Sequence, residues 1–458
     1  MGKYIGSKSF YRRVLKVMLP IVIQQGITNF VGLLDNIMVG QVGTEQMSGV
    51  AITNQLLFIF QLCIFGSLSG AGIFCAQYYG KGDQEKIKSV FRYKVIATSA
   101  ITALAIVVFW VFRRPLIQLF LTDTGTGGDL AATLFYGKQY LEIMMIGLIP
   151  FSIVQMYSST MRETGETAIP MKASVLAVGV NMCFNYVLIF GKLGAPKLGV
   201  AGAAIATVIS RFSELAFILI YAKVRRDKFP YLTGIYKTLR VPLSLAKDVT
   251  AKGMPLLLNE LMWSLGTTMI VQCYSTRGLD AVAAYNISST VSNFFTMAVF
   301  AMGTSISIMV GQELGAGELE YAVDTNRKMI TFGVMLCLGA AILLALFAPA
   351  FPQIYNTTEA VRDLARDLLW LDAIFLTARG LYNCCYFTLR SGGKTLLTFL
   401  FDSVSMWALN IPVAFVLAHF TGLPLVSMYL IVQIVDALKT VLGLYLVKKG
   451  IWVNNLAV

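Results

Sequence analysis

Residues 14–39 read VLKVMLPIVIQQGITNFVGLLDNIMV, a run in which only Lys16 and Asp35 are charged. A helix needs about 20 mainly apolar residues to cross the hydrocarbon core of a bilayer. The run is also too long for the apolar core of a cleavable signal peptide, which spans about 7–15 residues. We therefore predict that it forms a first transmembrane helix with an acid inside it.

Further apolar runs of similar length follow along the whole chain. Of its 458 residues, 57% are hydrophobic and 13% are charged, whereas a typical soluble protein has about 25% charged residues. This composition excludes an ordinary soluble enzyme and a disordered chain. It predicts an all-α polytopic membrane protein with twelve transmembrane helices. The predicted spans are residues 14–39, 47–75, 90–112, 133–160, 169–190, 199–222, 250–276, 281–310, 325–348, 364–389, 396–418 and 423–447.

The net charge of +13 lies mostly between these spans. The basic residues form short clusters in loops rather than a basic domain, so we expect no nucleic-acid partner. With twelve spans, 27 of the 37 Lys and Arg residues fall on the side of the two termini and 8 on the other. Because cytoplasmic loops carry the excess of Lys and Arg, both termini are predicted to be cytoplasmic, in a multi-pass protein of the inner (plasma) membrane.

The two halves of the sequence are alike. A shift of 235 positions aligns Pro20 with Pro255, and a shift of 228 aligns Arg162 with Arg390. The halves predict two six-helix bundles related by a pseudo-twofold axis along the membrane normal. The predicted domains are an N-terminal lobe at 1–222, a cytoplasmic linker at 223–249 and a C-terminal lobe at 250–458. The longest repeated motif is Gln77-x-x-Gly80-x-Gly82-Asp83, which aligns with Gln312-x-x-Gly315-x-Gly317-Glu318.

Three acids inside predicted spans are the main candidates for a functional site: Asp35 in the first, Glu260 in the seventh and Asp372 in the tenth. A charged side chain at the membrane centre costs about 2.5–3.5 kcal/mol, so it is retained inside a bundle or along a wet cavity. Each acid could exchange a proton, hold Na⁺ or bind a cationic substrate. Each could instead make a structural hydrogen bond or ion pair, for which Arg379 is a partner of Asp372.

Other polar residues in the spans are open to the same two interpretations. Asn181 and Asn185 share a helix face and could, with Thr207, supply oxygens to a cation, or could only join helices by hydrogen bonds. Arg211 and Glu214 are three residues apart and are predicted to neutralise one another. A mainly structural role is also favoured for Asp402 and Asp436.

Sequence motifs of soluble catalysis are absent. We find no phosphate-binding P-loop, no Gly-x-Ser-x-Gly elbow and no His-Glu-x-x-His motif. The seven cysteines lack metal-binding spacing, and His419 is the single histidine. We therefore predict a non-enzyme without a cofactor, in which transport would draw on an ion gradient.

The chain resembles the multidrug and toxic compound extrusion (MATE) family over essentially its full length. The resemblance implies two six-helix bundles that alternate between inward- and outward-open states and export organic cations by antiport with Na⁺ or H⁺. The residues that carry it are Leu19-Pro20, Val31-Gly32-Leu33-Leu34-Asp35-Asn36-Ile37-Met38-Val39-Gly40, Gln77-Tyr78-Tyr79-Gly80-Lys81-Gly82-Asp83, Arg162-Glu163-Thr164-Gly165-Glu166-Thr167 and Gly202-Ala203-Ala204-Ile205-Ala206-Thr207.

The resemblance also implies roles for single residues. Asp35 matches an acid used for coupling, with Asn181 and Thr207 as possible Na⁺ ligands beside it. Glu260 and Asp372 match the acids of a C-terminal cation site. Asn185 departs from the family pattern, since an aspartate often stands there, so the N-terminal site loses one negative charge.

We therefore expect a monomeric multidrug exporter that acts on small-molecule organic cations within membrane lipid. Two alternatives stay open at this point. One is a flippase for lipid-linked saccharide precursors, which commonly has extra helices and a more cationic cavity. The other is a membrane-embedded receptor or scaffold.

Overall fold

The computed structural model describes residues 4–120 and 129–457, which fold into helices and turns without a β-strand. Within α1, the side chains of Val31, Leu33, Asn36 and Ile37, part of the stretch that carries the resemblance, lie outside the described part. The long helices are α1 Lys8–Gly40, α2 Thr44–Lys81, α3 Gln84–Gln118, α4 Leu130–Glu163, α5 Ala168–Phe190, α6 Val200–Val224, α7 Leu243–Ser275, α8 Leu279–Gly315, α9 Leu319–Phe347, α10 Glu359–Ser391, α11 Thr395–Phe420 and α12 Leu425–Lys448.

The predicted fold class is confirmed. Each of the twelve predicted spans coincides with one of these helices. Among the described residues, nine helices are long and apolar enough to cross a membrane by length and composition. The other three are α1, α7 and α10, each of 33 residues. These three helices carry the predicted site acids Asp35, Glu260 and Asp372.

Local sequence signals set several helix ends. The side chain of Asp129 accepts hydrogen bonds from the backbone N–H groups of Ala131 and Ala132 and so caps α4. Thr358 caps α10 in the same way through Val361 N–H. Both residues satisfy donors that lack a partner in the first turn of a helix. At the end of α5, Gly191 takes a left-handed conformation with φ of 67°, which glycine adopts without steric cost.

Helix α11 departs from regular α geometry in its middle. Two π-helical segments, Leu400–Val404 and Met406–Asn410, lie between its α-helical ends. A π segment adds a residue to the turn and is common at functional sites. Here the two segments hold three buried polar residues, Asp402, Ser403 and Asn410.

Packing divides the described chain into two units. The N-terminal unit comprises residues 23–75 and 84–249, and the C-terminal unit comprises residues 4–22, 76–83 and 250–457. The start of α1 and the end of α2 therefore pack with α7 to α12. The lobe boundaries at 1–222, 223–249 and 250–458 remain a prediction.

The end of α2 is fixed inside the C-terminal unit by the last residues of the chain. The Gln77 amide donates to the backbone oxygens of Ser391 at 3.0 Å and Asn454 at 3.2 Å. It accepts from Leu456 N–H at 2.6 Å. Trp452, which is buried, packs in the same core. The repeated motif of α2 is thus an internal part of the C-terminal unit.

Candidate functional site

Asp35 lies in α1 of the N-terminal unit and is half-buried. Its Oδ1 accepts a hydrogen bond from Asn185 Nδ2 at 2.5 Å. No basic side chain of the described residues forms an ion pair with it within 4 Å. Its carboxylate is therefore held by an amide and not neutralised by a neighbouring cation.

Asn185 continues a chain of hydrogen bonds across α5 to α6. Its Nδ2 also donates to Asn181 Oδ1 at 3.0 Å, because the two residues are one helical turn apart. Asn181 Nδ2 in turn reaches Thr207 Oγ1 at 3.3 Å. The structure thus brings together the four residues predicted to form a cation site in this half, Asp35, Asn181, Asn185 and Thr207.

One side-chain oxygen in this series of hydrogen bonds has no hydrogen-bond partner among the described residues. Asn185 is 1% exposed, and its Oδ1 makes no hydrogen bond within the described residues. A buried polar atom without a partner costs free energy unless water or an ion satisfies it. With Asp35 and Asn181 it offers the carboxylate and amide oxygens that hard cations prefer.

Asp372 in α10 of the C-terminal unit is held quite differently. It is 2% exposed, and both its oxygens are occupied. Oδ2 accepts from Ser292 at 2.5 Å and Ser288 at 3.1 Å. Oδ1 accepts from Tyr429 at 2.6 Å and forms an ion pair with Arg379 at 3.2 Å. The Arg379 partnership suggested by the sequence is therefore formed, and this carboxylate is already neutralised.

Glu260 in α7 makes no hydrogen bond or ion pair among the described residues. Its charged neighbours are Arg390 and Asp402. Asp402 accepts from Asn259 Nδ2 at 2.8 Å and from the Tyr382 hydroxyl in a short contact. The structure thus groups Glu260 with Asp402, and no hydrogen bond in the described residues joins it to Asp372.

Sequence reasoning gave too little weight to a polar cluster on α10, α11 and α12. Asp436 accepts from Lys439 at 2.8 Å and from Asn410 at 2.9 Å. Lys439 is buried, with its ammonium 5.9 Å from the Tyr382 ring centre. The shift of 228 that aligns the halves pairs Lys439 with Arg211, and this signal could have found the cluster.

Arg211 and Glu214 in α6 are electrostatic neighbours but not a direct ion pair. Glu214 accepts a hydrogen bond from Ser174 at 2.8 Å. Arg211 lies over the ring of Phe151, 4.3 Å from its centre. The predicted contact between the two charges is therefore absent from the described ion pairs, because each side chain has another neighbour.

These features define the chain as a polytopic helical membrane protein with acids retained inside its spans, the class that includes ion-coupled transporters. The MatE family model matches residues 20–187 and 255–416. The chain therefore belongs to the MatE family of transporters, as the resemblance predicted.

Relatives and solved structures agree with this assignment. The chain is 25% identical over 421 residues to a probable multidrug resistance protein NorM of Thermotoga maritima, which covers 92% of this chain and 88% of the relative. It is 24% identical to a probable multidrug resistance protein YoeA of Bacillus subtilis, over 92% and 90%. A mutant of the Vibrio cholerae MATE transporter VcmN matches with a TM-score of 0.86 at 20% identity, over 98% of both chains. A MATE structure in the straight conformation matches with a TM-score of 0.86 at 18% identity, over 95% of both.

Proposed function

We propose that this protein is a secondary active exporter of small amphipathic organic cations, driven by antiport with Na⁺ or H⁺ across the inner membrane. The observation that carries the proposal is the Asp35 carboxylate, which lies in a spanning helix without a cationic partner among the described residues. The printed names of the relatives, probable multidrug resistance proteins, support the multidrug assignment.

The chemistry of Asp35 suits exchange. An unneutralised carboxylate inside the membrane is costly, so binding of any cation there is favourable. A proton, a sodium ion and the cationic group of a substrate then compete for one negative charge. The free Asn185 oxygen would complete the ligand set of a sodium ion, together with Asn181 and Thr207. A ligand drives transport only if it binds the two conformational states unequally.

Glu260 is the second position at which we propose cation exchange. It has no direct partner among the described residues, and its charged neighbours are the cation Arg390 and the acid Asp402. Asp372 acts differently in this proposal, because Arg379 and three hydroxyls already occupy it. Its role is to hold Arg379 and the α8, α10 and α12 side chains in place around the site.

The remaining elements of the proposal concern orientation and assembly. The charge distribution of the loops favours cytoplasmic termini and a linker at 223–249 on the same side. We propose that the monomer is the transporting unit. No cofactor is required, since the coupling ion supplies the free energy.

Export of a cationic dye into everted membrane vesicles tests this function. Sodium and pH gradients are imposed separately, and wild type is compared with Asp35→Asn. We expect one of the two gradients to drive wild-type export and Asp35→Asn to lose that dependence, because an amide carries no charge for the ion to neutralise.

The matched control is Asp280→Asn, which removes an exposed carboxylate at the start of α8. It should export dye as wild type does. Gradient-driven export by Asp35→Asn at the wild-type rate would rule out the coupling role. Dye movement that depends on neither gradient would rule out antiport.

A further inference from the structure

Arg211 is an arginine in the middle of a spanning helix. It lies eleven residues after Val200, the first residue of α6, and ten before Tyr221 in its last turn. An arginine at this depth is expensive and is retained where it meets a partner or a wet cavity. Its side chain is half-buried in the N-terminal unit.

The guanidinium group of Arg211 has few partners among the described residues. Within the described residues it makes no hydrogen bond and no ion pair, and its contact is with the Phe151 ring at 4.3 Å. A guanidinium carries five N–H donors in a planar fork. The Phe151 ring restrains the plane of the guanidinium group, and the N–H donors remain available to a ligand.

The surrounding charges leave an excess of positive charge. Arg162 in α4 donates to Gln24 Oε1 at 3.3 Å and forms no ion pair among the described residues. Glu214 is an electrostatic neighbour of both Arg162 and Arg211. Glu163 pairs with Lys94 and is a further electrostatic neighbour of Arg162. Three cationic groups therefore face two carboxylates.

Asp35 and Arg211 are neighbours of the same tyrosine. Tyr140 in α4 interacts electrostatically with both of them. Thr207, the last residue of the Asp35 hydrogen-bond chain, precedes Arg211 by one helical turn. A negative and a positive group thus both lie near Tyr140 within the N-terminal unit.

We propose that Arg211 binds a carboxylate of the transported molecule, so that the N-terminal unit selects compounds carrying an anionic group as well as a cation. This inference rests on the proposed export function and narrows its substrate class. The cationic group of such a zwitterion lies toward Asp35, and its carboxylate accepts two parallel hydrogen bonds from the Arg211 fork. Arginine suits this role because its fork matches a carboxylate in geometry.

A pair of dyes that differ in one group tests the proposal. A rhodamine with a free carboxylic acid is a zwitterion, and its methyl ester is a cation of nearly the same shape. Export of both is measured for wild type, Arg211→Met, Arg211→Lys and the control Arg226→Met, which alters an exposed residue. Equilibrium binding of both dyes to the purified proteins is measured by fluorescence anisotropy.

Arg211→Met should lower binding and export of the free acid at least about tenfold, the equivalent of one charge-assisted contact. Binding and export of the ester by Arg211→Met should stay within about twofold of wild type. That result would also show that the variant is folded. Arg211→Lys should recover part of the lost affinity, because it keeps the charge and loses the fork. Acetate should compete with the free acid and not with the ester, as expected if the site recognises the carboxylate itself.

Other outcomes contradict the proposal. If Arg211→Met handles both dyes as wild type does, Arg211 binds no carboxylate. If it loses both dyes equally, Arg211 has a structural role. Wild-type export of the ester without the free acid would also overturn it while leaving the proposed function intact. Failure of wild type to export either dye would reject the proposed function and this inference with it.

Discussion

Lys94 shows how one residue can stabilise a membrane helix bundle. Its side chain is fully buried, with 0% exposure. The ammonium group donates to Glu163 Oε2 at 2.5 Å and to the hydroxyls of Ser159 and Thr160 at 3.0 Å each. All three N–H donors of the lysine are therefore used. The contacts tie α3 to α4 inside the N-terminal unit.

Removing this lysine should strongly destabilise the fold. Lys94→Met breaks the largely buried ion pair with Glu163, and breaking a buried pair costs about 3–5 kcal/mol. Thermal unfolding of the purified protein in detergent measures the effect. Adding Glu163→Gln should restore part of the stability, because the carboxylate that paired with Lys94 is then replaced by a neutral amide.

Lys88→Met is the matched control for Lys94→Met. It breaks an ion pair with Glu85, whose side chain is 78% exposed, and exposed pairs contribute about 0–1 kcal/mol. Equal losses in Lys88→Met and Lys94→Met would contradict the importance given to burial.

At the scale of helices, the repeat in the sequence corresponds to a hydrogen bond that occurs in both units. Gln24 in α1 donates to Ser174 in α5 at 2.8 Å. The shifts of 235 and 228 align these residues with Asn259 and Asp402, which make a bond of 2.8 Å between α7 and α11. An amide thus joins corresponding helices in both units. The C-terminal unit differs because its acceptor is a carboxylate instead of a serine hydroxyl.

Gly80 and Gly315, the glycines of the repeated motif, lie at a second contact between helices. Inside the C-terminal unit, the end of α2 crosses the end of α8. A Cβ atom on Gly80 would lie 1.8 Å from the backbone oxygen of Gln312, and one on Gly315 would lie 1.9 Å from that of Gln77. The two halves of the motif therefore face each other, and both need a residue without a side chain.

Alanine at either glycine should force the two helices apart. Overpacking typically costs 1–3 kcal/mol, and we expect Gly80→Ala and Gly315→Ala to lose at least about that much stability. Melting temperatures in detergent give the comparison. Gly339→Ala in α9 has nothing within 4 Å of the new Cβ, and it should be neutral or stabilising, because alanine is the better helix former. A melting temperature equal to wild type in both contact variants would contradict the close crossing.

Sequence patterns predicted the helices well because twenty apolar residues in a row have few alternatives in a membrane. They also predicted the Asn181 and Asn185 pair and the Arg379 partner of Asp372, which follow from helical spacing. They did not predict that Glu260 would lie with Asp402. That arrangement depends on the π segments of α11, which no spacing rule for regular helices anticipates.

At the scale of the whole molecule, charge is sorted by environment. The excess of 37 basic over 24 acidic residues lies mainly outside the predicted spans. Inside the spans, the acids Asp35 and Glu260 lack direct cationic partners among the described residues, and Arg211 lacks a direct anionic one. The net charge of the chain therefore says nothing about its ligand, and we propose that these three side chains select it.

Ion release on substrate binding tests the central claim most directly, namely that substrate and ion compete for an acid in the N-terminal unit. A cationic dye is added to purified protein in detergent, and released H⁺ or Na⁺ is measured with an ion-selective electrode. Because the coupling of two ligands is reciprocal, wild type should release about one ion per dye molecule bound, and Asp35→Asn should release far less. Dye binding without ion release in wild type, or equal release from Asp35→Asn, would contradict the claim.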